Sequence, residues 1–368
     1  MRRSGIAELP LHGGRCPPWL FEKMKRLGGA IVQAIVLEHG REEFLRRIGD
    51  PFFFQAFGCV LGFDWHSSGL TTTVCGALKE AIDPTEFGIA VCGGKGRTSK
   101  RTPEEISRVS DVFSLSSKRV ERLRYASRMA AKVDNACVQD GYQLYHHSFF
   151  LTEDGEWAVV QQGMHGTLAR RYHWLSLDVE SFVDEPHTGI VGDREETNVL
   201  DMTARESEET RKASVDLVRD NPDRLLPYIR EARQRSIEEY FCTPPVKRLV
   251  LPVHHEITRL TEETLNALRR AYEIQPQNYE ELVALRGIGP KAVRALALIS
   301  ELIYGKSPSW KDPVKFSFAH GGKDGIPYPV DRATYQKTIE ILEGAAQSAR
   351  IGKMEKLDAI RRLHAFVR

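Results

Sequence analysis

The chain has almost no net charge, no closely spaced cysteine pair and no apolar run long enough to cross a bilayer. Each absence removes a class of function. Its 52 Lys and Arg stand against 50 Asp and Glu, a balance of +2, so any nucleic-acid surface has to be local rather than global. Six cysteines (Cys16, Cys59, Cys75, Cys92, Cys137, Cys242) lie scattered without a Cys-x-x-Cys pair. That argues against a zinc ribbon and for reduced thiols, most of them small buried side chains. The stretch Met1-Arg2-Arg3-Ser4-Gly5-Ile6 carries no apolar core of a signal peptide. The expectation is therefore a cytoplasmic, nucleoid-associated protein without membrane contact.

What is present is the make-up of a globular chain, 41% hydrophobic and 28% charged over 368 residues, enough for two domains. The expected fold is an α+β N-terminal domain (residues 1–200) with a small antiparallel sheet. An all-α helix-hairpin-helix domain (residues 201–368) follows it. The hairpin is expected at 279–299, around Leu285-Arg286-Gly287-Ile288-Gly289-Pro290-Lys291. Two glycines flank one apolar residue in a tight turn. The turn opens a helix whose N-terminus attracts an anion, and Lys291 adds a positive charge. Gly287, Ile288, Gly289 and Lys291 are thus candidates for gripping a DNA phosphate without reading bases.

In the first half, helices are expected at 19–25 and 30–48, and Phe52-Phe53-Phe54 marks core. Gly62-Phe63-Asp64-Trp65-His66-Ser67-Ser68-Gly69 reads either as a phosphate- or metal-binding turn through Asp64 and His66, or as a Ser- or Thr-capped start of a helix at 74–81. A short strand at 89–92 runs into Gly93-Gly94-Lys95-Gly96-Arg97-Thr98-Ser99-Lys100-Arg101. Its spacing is not that of a nucleotide-binding P-loop, but Lys95, Arg97 and Lys100 could follow a phosphate backbone. Thr102-Pro103-Glu104-Glu105 has the form of a capping box.

A long helical stretch at 104–134, interrupted near 114–118, leads to a strand through His146 and His147. A turn at Thr152-Glu153-Asp154-Gly155 and a returning strand through Gln161 and Gln162 complete a hairpin. Acid, imidazole and amide groups meeting there (Asp140, His146, His147) suit either a metal-dependent nuclease or a polar sheet that positions nucleic acid. The acid-x-lysine of a restriction-type nuclease is absent, as are phospholipase-D-like, His-Asn-His and zinc-protease spacings. Residues 178–198 turn acidic and irregular. Helices are then expected at 204–219, 222–239, 261–272, 279–285, 290–304 and 332–346, with one more near the C-terminus.

The run from Leu285 to Leu296 resembles the hairpin of the endonuclease-III-like DNA glycosylases. The resemblance places Lys291 on the lysine that attacks the sugar in bifunctional members. It places Asp331, in Pro329-Val330-Asp331-Arg332, on their helix-opening aspartate. It implies base excision and strand cleavage through a lysine Schiff base, with no cofactor. The chain departs from that pattern. Between Lys291 and Asp331 lie residues 306–328, an insert with its own basic Lys323, and no iron–sulfur cysteines follow. At whole-chain level Phe63-Asp64-Trp65-His66-Ser67-Ser68-Gly69, Gln139-Asp140-Gly141-Tyr142 and Tyr145-His146-His147 resemble a prokaryotic, mainly archaeal family, domain of unknown function seven-six-three, which implies no activity.

Three functions follow as expectations. The first is a DNA-repair glycosylase and abasic-site lyase with Lys291 and Asp331 as catalytic pair, acting on damaged or branched duplex. The hairpin and Lys95, Arg97, Lys100 and Lys323 would hold the DNA. The second is a structure-specific nuclease using a divalent metal (Mg or Mn) on Asp64, His66, Asp140, His146 and His147. The third is a DNA-binding accessory protein with neither activity.

Overall fold

The computed structural model describes residues 16–63, 68–192, 194–221, 261–314 and 332–367, and for 332–335 and 365–367 the backbone alone. The expected helix at 222–239 and the positions Asp64, His66, Lys323 and Asp331 lie outside the described residues.

The chain opens with α1 (Pro18–Gly49). Met24, Leu27, Ile31 and Ile35 recur on its buried side at the three-and-four spacing of an amphipathic helix. The break between two helical segments falls at Gly40 (φ 86°, ψ 170°), not at 26–29 as expected. Asp50 then ends α1 and starts α2 (Pro51–Val60). A residue before proline is pushed out of helical geometry. The freed Asp50 carboxylate accepts from the Phe52 N–H at 2.9 Å, and Pro51 takes the first helical position, where it needs no donor. All ten residues of α2 are buried, so the phenylalanine run is core, as its composition suggests. Next comes α3 (Gly69–Ala81). It starts five residues earlier than expected, and Ser68 at its N-cap contributes no side-chain cap. After it come the single turn α4 (Pro84–Phe87), β1 (Ile89–Lys95), a 3-10 turn (Gly96–Arg101), α5 (Thr102–Val112) and α6 (Ser117–Ala136).

The sheet follows as β2 (Val138–Gln139), β3 (Gln143–Thr152), β4 (Trp157–His165), β5 (Leu168–Leu175), β6 (Gly189–Gly192) and β7 (Leu200–Asp201). Five strands form one antiparallel sheet in the order β1-β3-β4-β5-β6, while β2 and β7 pair separately. The acidic stretch expected to be irregular thus contributes an edge strand, β6. Helices α7 (Glu208–Arg219), α8 (Glu262–Ile274), α9 (Tyr279–Ala284), α10 (Pro290–Tyr304), α11 (Arg332–Ser348) and α12 (Lys353–Val367) complete the described chain. No helix among the described residues is long and apolar enough to cross a membrane.

Both faces of the sheet are covered, which is unusual for antiparallel strands, and successive side chains serve opposite cores. Ile89, Val91, Phe150, Ala158, Val160 and Leu175 pack into one hydrophobic cluster with α1, α2 and α3. Cys92, Phe149, Leu151, Trp157, Val159 and Trp174 pack into another with α6, α7, α9 and α10. The helices after residue 200 therefore do not share one core. Leu268 of α8, Leu282 of α9 and Val293 of α10 join the second cluster, whereas Leu342 of α11 and Leu363 of α12 join the first. The observed architecture is a mixed α and β N-terminal half followed by helices, with the later helices divided between the two sides of the sheet.

Candidate nucleic-acid interface

Helices α9 (Tyr279–Ala284) and α10 (Pro290–Tyr304) stand on either side of the expected turn, close to the expected bounds of 279–285 and 290–304. Asn278 caps α9, its side chain accepting from the Glu281 N–H at 2.8 Å, and α9 ends at the extended Leu285. Gly287 has φ +94°, a region costly for any residue with a Cβ. A Cβ there would also meet Ala267 Cβ at 2.8 Å. Ile288 is 1% exposed and belongs to the second hydrophobic cluster, so it pins the turn from inside. Gly289 is the N-cap of α10 and Pro290 the first helical residue. Nothing lies within 4 Å of a Cβ built on Gly289.

The N-terminus of α10 differs from those of α5, α7, α8 and α9, and is like that of α6 in having no first-turn acid and no side-chain cap. Helices α5, α7, α8 and α9 each carry two acids in the first turn, which neutralise the positive end of the helix dipole. Helix α10 has none there and no side-chain cap, and Lys291, in its first turn, is exposed. The hairpin is held from the opposite side by its carbonyls. Lys132 donates to Leu285 O, Gln139 Nε2 to Pro290 O at 2.9 Å, and Arg270 to Arg286 O at 3.3 Å. Arg294 Nε closes the set on Gln139 Oε1 at 2.8 Å. An open cleft of about 840 Å³ beside the turn is lined by Glu263, Asn266, Arg270, Ile274, Leu285, Arg286 and Gly287. Lys291 is not among its lining residues.

The glycine-lysine stretch is also built differently from its sequence expectation. Strand β1 continues three residues further, through Lys95. Gly93 adopts φ +91°, and a Cβ there would lie 2.2 Å from the His147 carbonyl oxygen. The capping box does not form, because Thr102 is already helical and the N-cap is Arg101. Glu105 instead reaches back to accept from Gly93 N at 2.8 Å and from Lys79 Nζ at 2.6 Å. Lys95, Arg97, Lys100 and Arg101 are exposed, and Lys95 Nζ sits 5.7 Å from the centroid of the Tyr145 ring.

The polar residues of the sheet are distributed rather than gathered. His146 and His147 are neighbours on β3 and point to opposite faces, so Asp140, His146 and His147 do not form one metal site. Asp140 accepts from Arg170 Nη1 at 3.0 Å, Tyr172 OH at 2.6 Å and Tyr142 N at 3.0 Å. Arg170 also makes a two-pronged pair with Asp312 at 2.8 and 2.7 Å. Burial opposes the Arg170 charge, and Asp140, Tyr172 and Asp312 outweigh it, holding the guanidinium above its ordinary value. His147 shares hydrogen bonds with Ser127 Oγ at 2.9 Å and Gln161 Oε1 at 2.8 Å. Gln161, Trp174 and His187 in turn converge on the fully buried Asp134.

On the other face His146 Nε2 meets Ser148 Oγ at 3.0 Å, and Gln162 Nε2 donates to Ser68 O at 2.9 Å. His146 Nδ1 and Gln162 Oε1 find no partner among the described residues. Burial, followed by the His147 and Lys95 charges, pushes His146 down to about 3. Burial lowers His147 too, against the hydrogen bond it donates to Gln161 Oε1, and takes His173 well down, assisted by Arg171. Among the described residues no three His, Cys, Asp or Glu side chains are placed to hold a metal ion. Burial also pushes the thiols of Cys75, Cys92 and Cys137 up to about 12, which suits inert core residues.

Sequence reasoning missed Arg170, Asp312, Asp134, Ser127 and Lys132. A signal for the first was present. Leu168-Ala169-Arg170-Arg171-Tyr172-His173-Trp174-Leu175 is a strand with two adjacent cations among large apolar residues. Alternation sends one to each face, where each needs a buried partner.

A family profile described as "Protein of unknown function (DUF763)" matches residues 5–330. No curated protein and no solved structure matches the chain.

Proposed function

The chain belongs to this family of proteins of unknown function, and we propose that it binds the sugar–phosphate backbone of duplex DNA through the α9–α10 hairpin, without reading sequence. The observation that carries the reading is the N-terminus of α10. It is uncapped, free of acids, opened by a glycine with clear space beside it, and followed by the exposed Lys291. Such an end offers backbone N–H groups, the positive pole of a 15-residue helix and one cation to a phosphate. The carbonyl side of the turn is tied to α6 and β2, so the donor side is presented on a fixed support.

The glycosylase and lyase reading is the stronger form of this proposal, and it makes a further demand. A Schiff-base lysine needs a neutral amine, which burial and a helix N-terminus would favour, and a carboxylate nearby to accept its proton. Lys291 is exposed and outside the neighbouring cleft, while Asp331 lies outside the described residues. What supports binding does not extend to that step. Both forms are tested on uracil-, oxoguanine-, abasic- and branched duplexes, with and without chelator. Retention of every duplex with no incision would support binding alone. A borohydride-trapped adduct that vanishes in Lys291→Gln would establish the lyase, and chelator-sensitive cutting would support the nuclease instead. Failure to retain any duplex at low salt would end the reading.

A further inference from the structure

The exit of β1 carries a second group of cations that the hairpin does not explain. From Lys95 to Arg101 four of seven residues are basic and none is acidic. In a chain whose charges otherwise balance, that concentration is local. Three cations nearby are paired, Lys79 with Glu105, Arg41 with Glu153 and Arg124 with Glu121, whereas the exposed Arg108 and Arg122 of α5 and α6 add to the unpaired positive charge among the described residues. Lys95, Arg97, Lys100 and Arg101 are exposed, and no carboxylate pairs with them among the described residues. The acids nearest in sequence, Glu104 and Glu105, lie in the first turn of α5, and Glu105 is turned inward onto Gly93 and Lys79.

The two basic elements flank one end of the sheet. Lys95 pairs opposite His146 on β3, near the point where that strand begins at Gln143. Gln139, just upstream, is the residue that holds Pro290 and Arg294 of the hairpin. Helix α6 links them, since it packs against α5 and against both hairpin helices. Its Lys132 bonds the hairpin turn, and one turn earlier Arg128 is exposed. Arg128 is thus an exposed cation on a helix that contacts both α5, which follows the loop, and the two hairpin helices.

We propose that the Lys95–Arg101 loop and the hairpin hold the backbone of one DNA duplex at two separate places. The inference rests on the hairpin reading and adds to it a second contact of several phosphates. A hairpin alone engages one phosphate. The loop supplies the remaining charge that a net balance of +2 withholds from the rest of the surface. Each phosphate neutralised releases counterions, so the logarithm of affinity falls against the logarithm of salt with a slope of about −0.9 per contact.

The test uses the full chain and a fluorescent duplex of arbitrary sequence, titrated at several salt concentrations. Arg97→Gln/Lys100→Gln/Arg101→Gln is expected to make the salt slope shallower by about 2 to 3 and to weaken binding at least about tenfold at moderate salt. Lys291→Gln alone should change the slope by about 1, and the combined variant by the sum. Thermal melting checks that the exposed substitutions leave the fold intact, and Lys95→Gln gives a second, independent loop variant. If the triple variant and Lys95→Gln keep the wild-type slope while Lys291→Gln lowers it, the loop is not on the DNA and the hairpin reading stands. No binding by the wild type would remove both. Tighter binding of duplex RNA than of DNA of equal length would overturn the proposed partner.

Discussion

The sheet and the hairpin treat polar residues in opposite ways. Beside the sheet, the side chains of Asp140, Arg170 and Asp312 are sealed from water and paired with one another. Around the hairpin and the β1 exit, Lys291, Lys95, Arg97 and Lys100 stand exposed, with no carboxylate paired to them among the described residues. The sheet holds the more conspicuous chemistry in the sequence, yet most of its polar groups bond to one another inside the fold, with His146 Nδ1, Gln162 Oε1 and Arg170 Nε left over among the described residues. A polar residue becomes available to a ligand when its neighbours leave it unpaired, not when its type is reactive. Substitutions in the first region should therefore move stability, and substitutions in the second should move binding.

Acid gives the largest expected separation. His146, His147 and His173 are all lowered by burial, so the fold keeps them neutral while the unfolded chain protonates them. Stability from such groups is present above the unfolded histidine value of about 6.5 and is lost as pH falls below it, for His146 down to about 3. Each contributes up to about 1.4 kcal/mol per pH unit, and only between its unfolded and folded values. Urea midpoints at pH 7.5, 6 and 5 should fall steeply, and a flat profile over that range would contradict the buried neutral histidines.

Arg170→Met should have the next largest effect. It leaves Asp140 and Asp312 buried without their common partner, a loss of about 3–5 kcal/mol, read by chemical denaturation. The folded fraction should still bind duplex normally. Gly289→Glu should do the reverse, because its Cβ has open space while its carboxylate would occupy the place of the phosphate. Duplex affinity should fall about tenfold or more with little change in melting temperature. The smallest effect belongs to Lys291→Gln, one phosphate contact, or about 0.9 in salt slope. Its stability should stay within about 0.5 kcal/mol of wild type, as for other exposed positions.

The same contrast explains what could be read from sequence. The α10 boundaries at 290 and 304 follow from a proline after glycine at one end and Gly305 (φ +65°) at the other, signals that act within a few residues. The alternation that separates His146 from His147 was equally local. What decides their roles was not. Arg170 meets Asp312 across 142 residues, and Gln161 meets Asp134 across 27. Periodicity states that a side is buried without saying against what. For the same reason the apolar stripes of α11 and α12 gave no hint that they return to α1 and α2 rather than joining the hairpin helices. The capping-box pattern at Thr102 failed because a tertiary demand, the Gly93 N–H, took Glu105.

The central claim is that the uncapped N-terminus of α10 is the anion site. Its most direct test is duplex affinity of Gly289→Glu beside wild type, at low salt and with melting temperature recorded for both. The account predicts that wild type binds with a salt-dependent affinity, and that Gly289→Glu melts like wild type and binds at least about tenfold more weakly. A folded Gly289→Glu variant that binds duplex as tightly as wild type would contradict it.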